Sequence, residues 1–80
     1  MPKWSTAVMS NWAIKRQVYH RLSEGELQWA FEGYQRREAS TQKDCLNFVR
    51  STNNEEIGIT ASQKSGEKWL VVSVWRRKLY

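Results

Sequence analysis

Residues 67–80 read EKWLVVSVWRRKLY, and this stretch decides the fold. It is rich in β-branched and aromatic residues, the types that fill a pleated, half-buried surface. Side chains alternate along a strand. Leu70, Val72 and Val74 are therefore expected on one face, and Trp69, Val71, Ser73 and Trp75 on the other. Three cations, Arg76, Arg77 and Lys78, close the run. The aliphatic face needs a cover, and the tryptophan face needs a reason.

The cover is expected from the first half of the chain. SNWAIKRQVYHRL (residues 10–22) offers Ser10 as an N-cap, followed by Ile14, Val18 and Leu22 at helical spacing. Trp12, Arg16 and His20 form a second row four residues apart. SEGELQWAFEGY (residues 23–34) follows directly, with Ser23 and Glu26 in the positions of a capping box. Leu27, Ala30, Phe31 and Tyr34 then make an amphipathic stripe, and Gly33 is a natural stop. Helices are thus expected near residues 10–22 and 24–34, turning sharply against each other.

The rest of the chain reads as strands. CLNFVR (residues 45–50) alternates and ends at the polar cluster STNNEE, which places Glu55 and Glu56 in a loop. IGITASQ (residues 57–63) puts Ile57, Ile59 and Ala61 on one face. KSGE (residues 64–67) is an expected hairpin loop, and QRREAST (residues 35–41) an expected irregular edge strand. The expected fold class is α+β: two N-terminal helices packed on one face of a three- or four-stranded antiparallel sheet.

Eighty residues allow a single domain, residues 1–80, with a core near the lower limit for unaided folding. Cys45 is the only cysteine, so no internal disulfide forms, and no cysteine–histidine cluster offers a zinc site. Cys45 reads as a small core residue. The opening MPKWSTAVMSNW lacks a signal-peptide apolar stretch, and no run approaches the length that crosses a bilayer. A cytoplasmic protein with no membrane contact and no cofactor is expected. Thirteen cations against eight anions give a net charge of +5, which favours polyanions through a long-range field without naming one.

Two readings of the tryptophan face stay open. Trp69 and Trp75, with Lys15, Arg77 and Lys78 supplying charge, could stack and hold single-stranded nucleic acid. The same face could instead be buried in a homodimer or against a protein partner. His20 is the only histidine and the only side chain whose ordinary pKa lies near neutrality. Metal-independent RNA cleavage needs a base, an acid and cations around the phosphorane. His20, Arg16, Ser73 and Arg76 could supply them, or His20 could be a solvated helix-end histidine.

WAIKRQVYHRLSEGELQWA (residues 12–30) resembles the opening pattern of a bacterial family, domain of unknown function 4258. Ala13, Arg16, Leu22, Ser23, Glu24, Glu26, Leu27 and Ala30 match it. The family's closing hairpin is similar to residues 56–77, with Val71, Val72, Ser73, Val74, Trp75 and Arg76 fitting its last strand. The resemblance spans about residues 10–77. It implies a fold of the barnase–EndoU–colicin–RelE class of ribonuclease toxins, which cleave RNA without metal and need a cognate antitoxin or immunity protein. It also implies functional positions at Arg16, Ser73 and Arg76. Trp12 stands where the family's leading histidine is usual, and His20 where a second arginine is usual. Either His20 takes over the acid–base role or the fold is kept without the chemistry.

Overall fold

The computed structural model describes residues 3–64, 66 and 68–79. Among these, the chain order is a 3-10 turn at Trp4–Thr6, then β1 (Ala7–Met9), α1 (Asn11–His20), α2 (Glu24–Glu32), β2 (Arg36–Ala39), β3 (Leu46–Ser51), β4 (Glu55–Gln63) and β5 (Trp69–Lys78). The five strands form one sheet in the order β1-β5-β4-β3-β2. β1 runs parallel to β5, and the other neighbours are antiparallel.

The class is α+β as expected, but the sheet is mixed and five-stranded, and a strand precedes the helices. β1 was not foreseen because three residues are too few to show a period. The expected edge strand in QRREAST is present as β2. Glu55 and Glu56 belong to β4 and not to a loop. Of KSGE, Lys64 and Gly66 are described, Gly66 with φ of 60°; Ser65 and Glu67 lie outside the described residues.

Both helices start where the sequence says they should. The Ser10 hydroxyl accepts from the Ala13 amide at 3.1 Å. At α2 the capping box is complete: Ser23 Oγ accepts from the Glu26 amide at 3.0 Å and Glu26 Oε1 accepts from the Ser23 amide at 2.9 Å. Leu27, Ala30 and Phe31 of α2 are fully buried.

Of the expected stripe Ile14, Val18 and Leu22, only Leu22, just past the end of α1, is buried in the core. Ile14 is 46 % exposed and Val18 72 % exposed, whereas Ala13 is fully buried. The rotation has a cause at the helix start. The Ser10 amide donates to Val71 O at 2.9 Å, and its hydroxyl donates to Val72 O at 3.1 Å. Those two bonds hold the first turn against β5, and the small Ala13 side chain is what fits there.

β5 is split by a bulge. Ala61 pairs with Val71 and Thr60 with Ser73, which leaves Val72 as an extra residue on β5. A bulge inverts the alternation beyond it. Trp69 and Val71 face the helices before it, and Val74 faces them after it. Trp69 is only 9 % exposed, in edge-to-face contact with Phe31 (5.8 Å) and Phe48 (5.2 Å). Phe31 and Phe48 also meet each other at 5.0 Å, and Trp4 closes on Phe31 at 5.6 Å. The expectation of Trp69 on the open face is thus corrected. So is that of Leu70 and Val72 beneath the helices: both are half-buried and outside the core cluster.

Trp75 does lie on the helix-free face. It pairs with Gly58, and a Cβ on Gly58 would overlap the Trp75 indole, so the ring lies flat on bare backbone. Val49, the other neighbour of Gly58 in the sheet, is buried as well. Thr60 donates to Asn47 Oδ1 at 2.7 Å. Glu56 is 3 % exposed and held by Arg77 (2.7 Å) and Arg36 (3.5 Å). This face is roofed by its own long side chains.

Candidate active site at the helix corner

α1 ends in a tight turn. Arg21 takes the left-handed conformation (φ 55°), and the Leu22 amide reaches back to Gln17 O at 3.0 Å. The last carbonyls of a helix lack internal partners and carry partial negative charge. Arg76, reaching up from β5, meets that need: its Nη1 donates to His20 O at 3.1 Å. Its Nη2 is ion-paired with the Glu26 carboxylate in the first turn of α2. The Arg76 Nε is buried and makes no hydrogen bond, but Glu55 Oε2 lies 3.5 Å away and pairs with it by charge. One arginine therefore ties α1, α2 and β4 together, and two carboxylates balance its charge.

Above that clamp lies the imidazole. Arg16 Nη2 is 3.0 Å from His20 Nε2. A guanidinium can only donate, so Nε2 is the acceptor and the ring is neutral with its proton on Nδ1. Partial burial pushes the His20 pKa below its ordinary 6.5, and the positive charges of Arg16 and Arg76 push it further the same way. Burial pulls Glu26 upward, but the hydrogen bonds from Ser23 and the charge of Arg76 outweigh it, and the carboxyl sits below its ordinary 4.5.

The Arg16 guanidinium also lies over two rings, 4.7 Å from the Tyr19 centroid and 5.8 Å from that of Trp12. Tyr19 in turn meets His20 edge-on at 5.0 Å. On the other side of the clamp, Glu26 and Glu55 line an open depression of about 450 Å³ with Ser23, Gly25, Trp29, Thr52 and Ile57.

Of the expected catalytic residues, His20, Arg16 and Arg76 converge here. Ser73 does not: it pairs with Thr60 on the helix-free face, across the sheet from Arg76. Lys15 is exposed on α1 beside Arg16. Trp75 and Arg77 lie on the far face, Lys78 stands opposite Glu55 at the end of β5, and Trp69 is in the core. Three partners were missed. Glu26 was read only as a cap, Glu55 as a loop residue, and Tyr19 was passed over although it lies seven residues after Trp12 on the same helix side. Cys45 is a free, half-buried thiol just before β3.

Among the described residues, no group of three or more His, Cys, Asp and Glu side chains is placed to hold a metal ion. No helix formed by the described residues is long and apolar enough to cross a membrane. Compared with family models, with curated proteins and with solved structures, the chain gives no match.

Proposed function

We propose that this chain is a small RNA-acting domain of the ribonuclease-toxin type, with His20 as proton acceptor and Arg16 as the phosphate-binding cation. The observation that carries the reading is the 3.0 Å contact from Arg16 to His20 Nε2. It holds a neutral imidazole and a guanidinium together on the surface of one helix. A base must be unprotonated to act, and the depressed pKa of His20 favours that state near neutral pH.

The reaction follows from these groups. An incoming phosphodiester draws the Arg16 guanidinium to its oxygens, and the Nε2 lone pair is released toward the neighbouring 2′-hydroxyl. His20 takes that proton as the oxygen attacks phosphorus. Arg16 stabilises the charge that develops on the phosphorane. The protonated imidazole can then return the proton to the departing 5′-oxygen. Arg76 acts through His20 as a positioning residue, since its charge is balanced by Glu26 and Glu55. Ser73 has no part in this corner. A domain of this type calls for a cognate inhibitor protein, and exposed Ile14 and Val18 on α1 offer such a partner an apolar contact. The same two residues favour the second reading, a non-catalytic interaction module or homodimer.

The deciding experiment is cleavage of a mixed RNA pool in the presence of a chelator. His20→Ala and Arg16→Ala should each lose on the order of 10²–10⁴-fold in rate, with circular dichroism unchanged. Full activity in His20→Ala would move the chemistry elsewhere. An inactive parent would favour the interaction module.

A further inference from the structure

The excess charge of this chain is not spread evenly. Residues 1–23 hold four cations, Lys3, Lys15, Arg16 and Arg21, and no acid. Residues 24–80 hold nine cations and eight acids. The imbalance persists in three dimensions. Arg36, Arg76 and Arg77 are ion-paired with Glu38, Glu56, Glu26 and Glu55. Among the described residues, none of the four N-terminal cations has a carboxylate within ion-pair distance. α1 and its C-terminal turn thus carry three of these cations, Lys15, Arg16 and Arg21, while Arg76 and Arg77 at the end of β5 are balanced by carboxylates.

The same helix exposes aromatic rings. Trp12 is 55 % exposed and Tyr19 72 % exposed, and the Arg16 guanidinium sits between them. Seven residues of helix separate the two rings by roughly 10 Å along the axis. Lys15 projects from the same exposed side, and Arg21 continues the positive surface past the helix end. Arg21 is in a left-handed conformation that glycine would adopt without strain. A cation occupies it instead.

We infer that the Trp12–Arg16–Tyr19 row of α1 is a stacking site for single-stranded RNA. One base lies on Trp12, a second on Tyr19, and the phosphodiester between them is held by Arg16 with Lys15 alongside. Exposed rings flanking a cation on a positive surface are what sequence-tolerant recognition of a single strand requires. The occupant is a polyanion because a protein partner would leave Lys15, Arg16 and Arg21 without counter-charge unless it were strongly acidic. The inference rests on the reading of the chain as RNA-acting, and it deepens that reading by bringing the strand to His20, which touches Tyr19.

The test is fluorescence anisotropy of the full chain with a short 2′-O-methyl RNA, which binds without being cut. Trp12→Ala and Tyr19→Ala should each weaken binding about 5- to 150-fold, the equivalent of one stacked base. Trp12→Phe and Tyr19→Phe should retain most of the affinity. Arg16→Ala should reduce the dependence of log affinity on log salt by about 0.7, and Val8→Ala, at an exposed position of β1, should bind like the parent. A parent that binds while both ring-to-alanine variants bind equally well overturns the stacking site and leaves the RNA reading intact. Binding through the row without cleavage of natural RNA supports the site and removes the catalytic role of His20. A parent that does not bind even at low salt overturns both.

Discussion

Gly58 and Trp75 show what one residue can hold in place. The indole lies where a Cβ would be, so the helix-free face is closed by a ring pressed on backbone. Gly58→Ala inserts a methyl into that contact. Overpacking of this kind costs about 1–3 kcal/mol unless the ring can swing away. Urea unfolding should show a loss of that order. The Gly58→Ala, Trp75→Ala double variant should lose less than the two single losses added, because the clash is gone once the ring is gone. Strict additivity would mean that the ring does not press on Gly58. The sequence showed Trp75 facing away from the helices but not what it lay on. Gly58, in IGIT on the neighbouring strand, becomes informative only when the register pairs the two.

At the scale of elements, Ser10 is the joint between α1 and the bulge of β5. Its hydroxyl caps the helix and binds Val72 O, the carbonyl of the extra residue. Ser23 caps α2 without such a tertiary bond. Losing a cap costs about 0.5–2 kcal/mol, and losing a further part-buried hydrogen bond about 0.5–1.5 kcal/mol. Ser10→Ala should therefore destabilise more than Ser23→Ala in the same denaturant series; equal losses would show that the bulge does not depend on α1. Elements differ in how readable they were for physical reasons. α2 was legible at its start and on its buried face, since a capping box and the Leu27, Ala30, Phe31 stripe leave one orientation, whereas Tyr34, the fourth expected member, lies past the helix end at Glu32 and packs against the core from there. Ile14 and Val18 have the spacing of a core stripe, but spacing cannot say that Ala13 is the residue that meets the sheet. Strand alternation likewise cannot announce a bulge, so Trp69 was assigned to the wrong face while Val74 and Trp75 were assigned correctly. The Arg16–His20 pair was visible as one helical turn. Its clamp, Arg76 with Glu26 and Glu55, joins residues far apart in the chain and was not.

The whole molecule should record the corner in its response to acid. His20 has a depressed folded pKa, so the unfolded chain binds a proton more readily. Its contribution to stability is fully present above 6.5 and is lost as pH falls through the lower folded value. Glu26 is depressed below 4.5 and acts in the same direction at lower pH. Thermal unfolding should therefore show a falling midpoint in two stages, the first beginning near pH 6.5. His20→Gln should flatten the first stage and leave the second. A first stage that survives in His20→Gln would place the proton elsewhere, because His20 is the only histidine.

The clamp between His20 and Arg76 joins residues 56 positions apart, and β1 is completed only by pairing with β5. A ribosome makes a chain from its N-terminus. During synthesis α1 emerges early with its cations and rings, yet the arginine that anchors its end is added dozens of residues later. The corner is therefore assembled only after β5 has been made. Under the proposed function, this timing withholds the clamp that positions His20 until Arg76 has joined the growing chain.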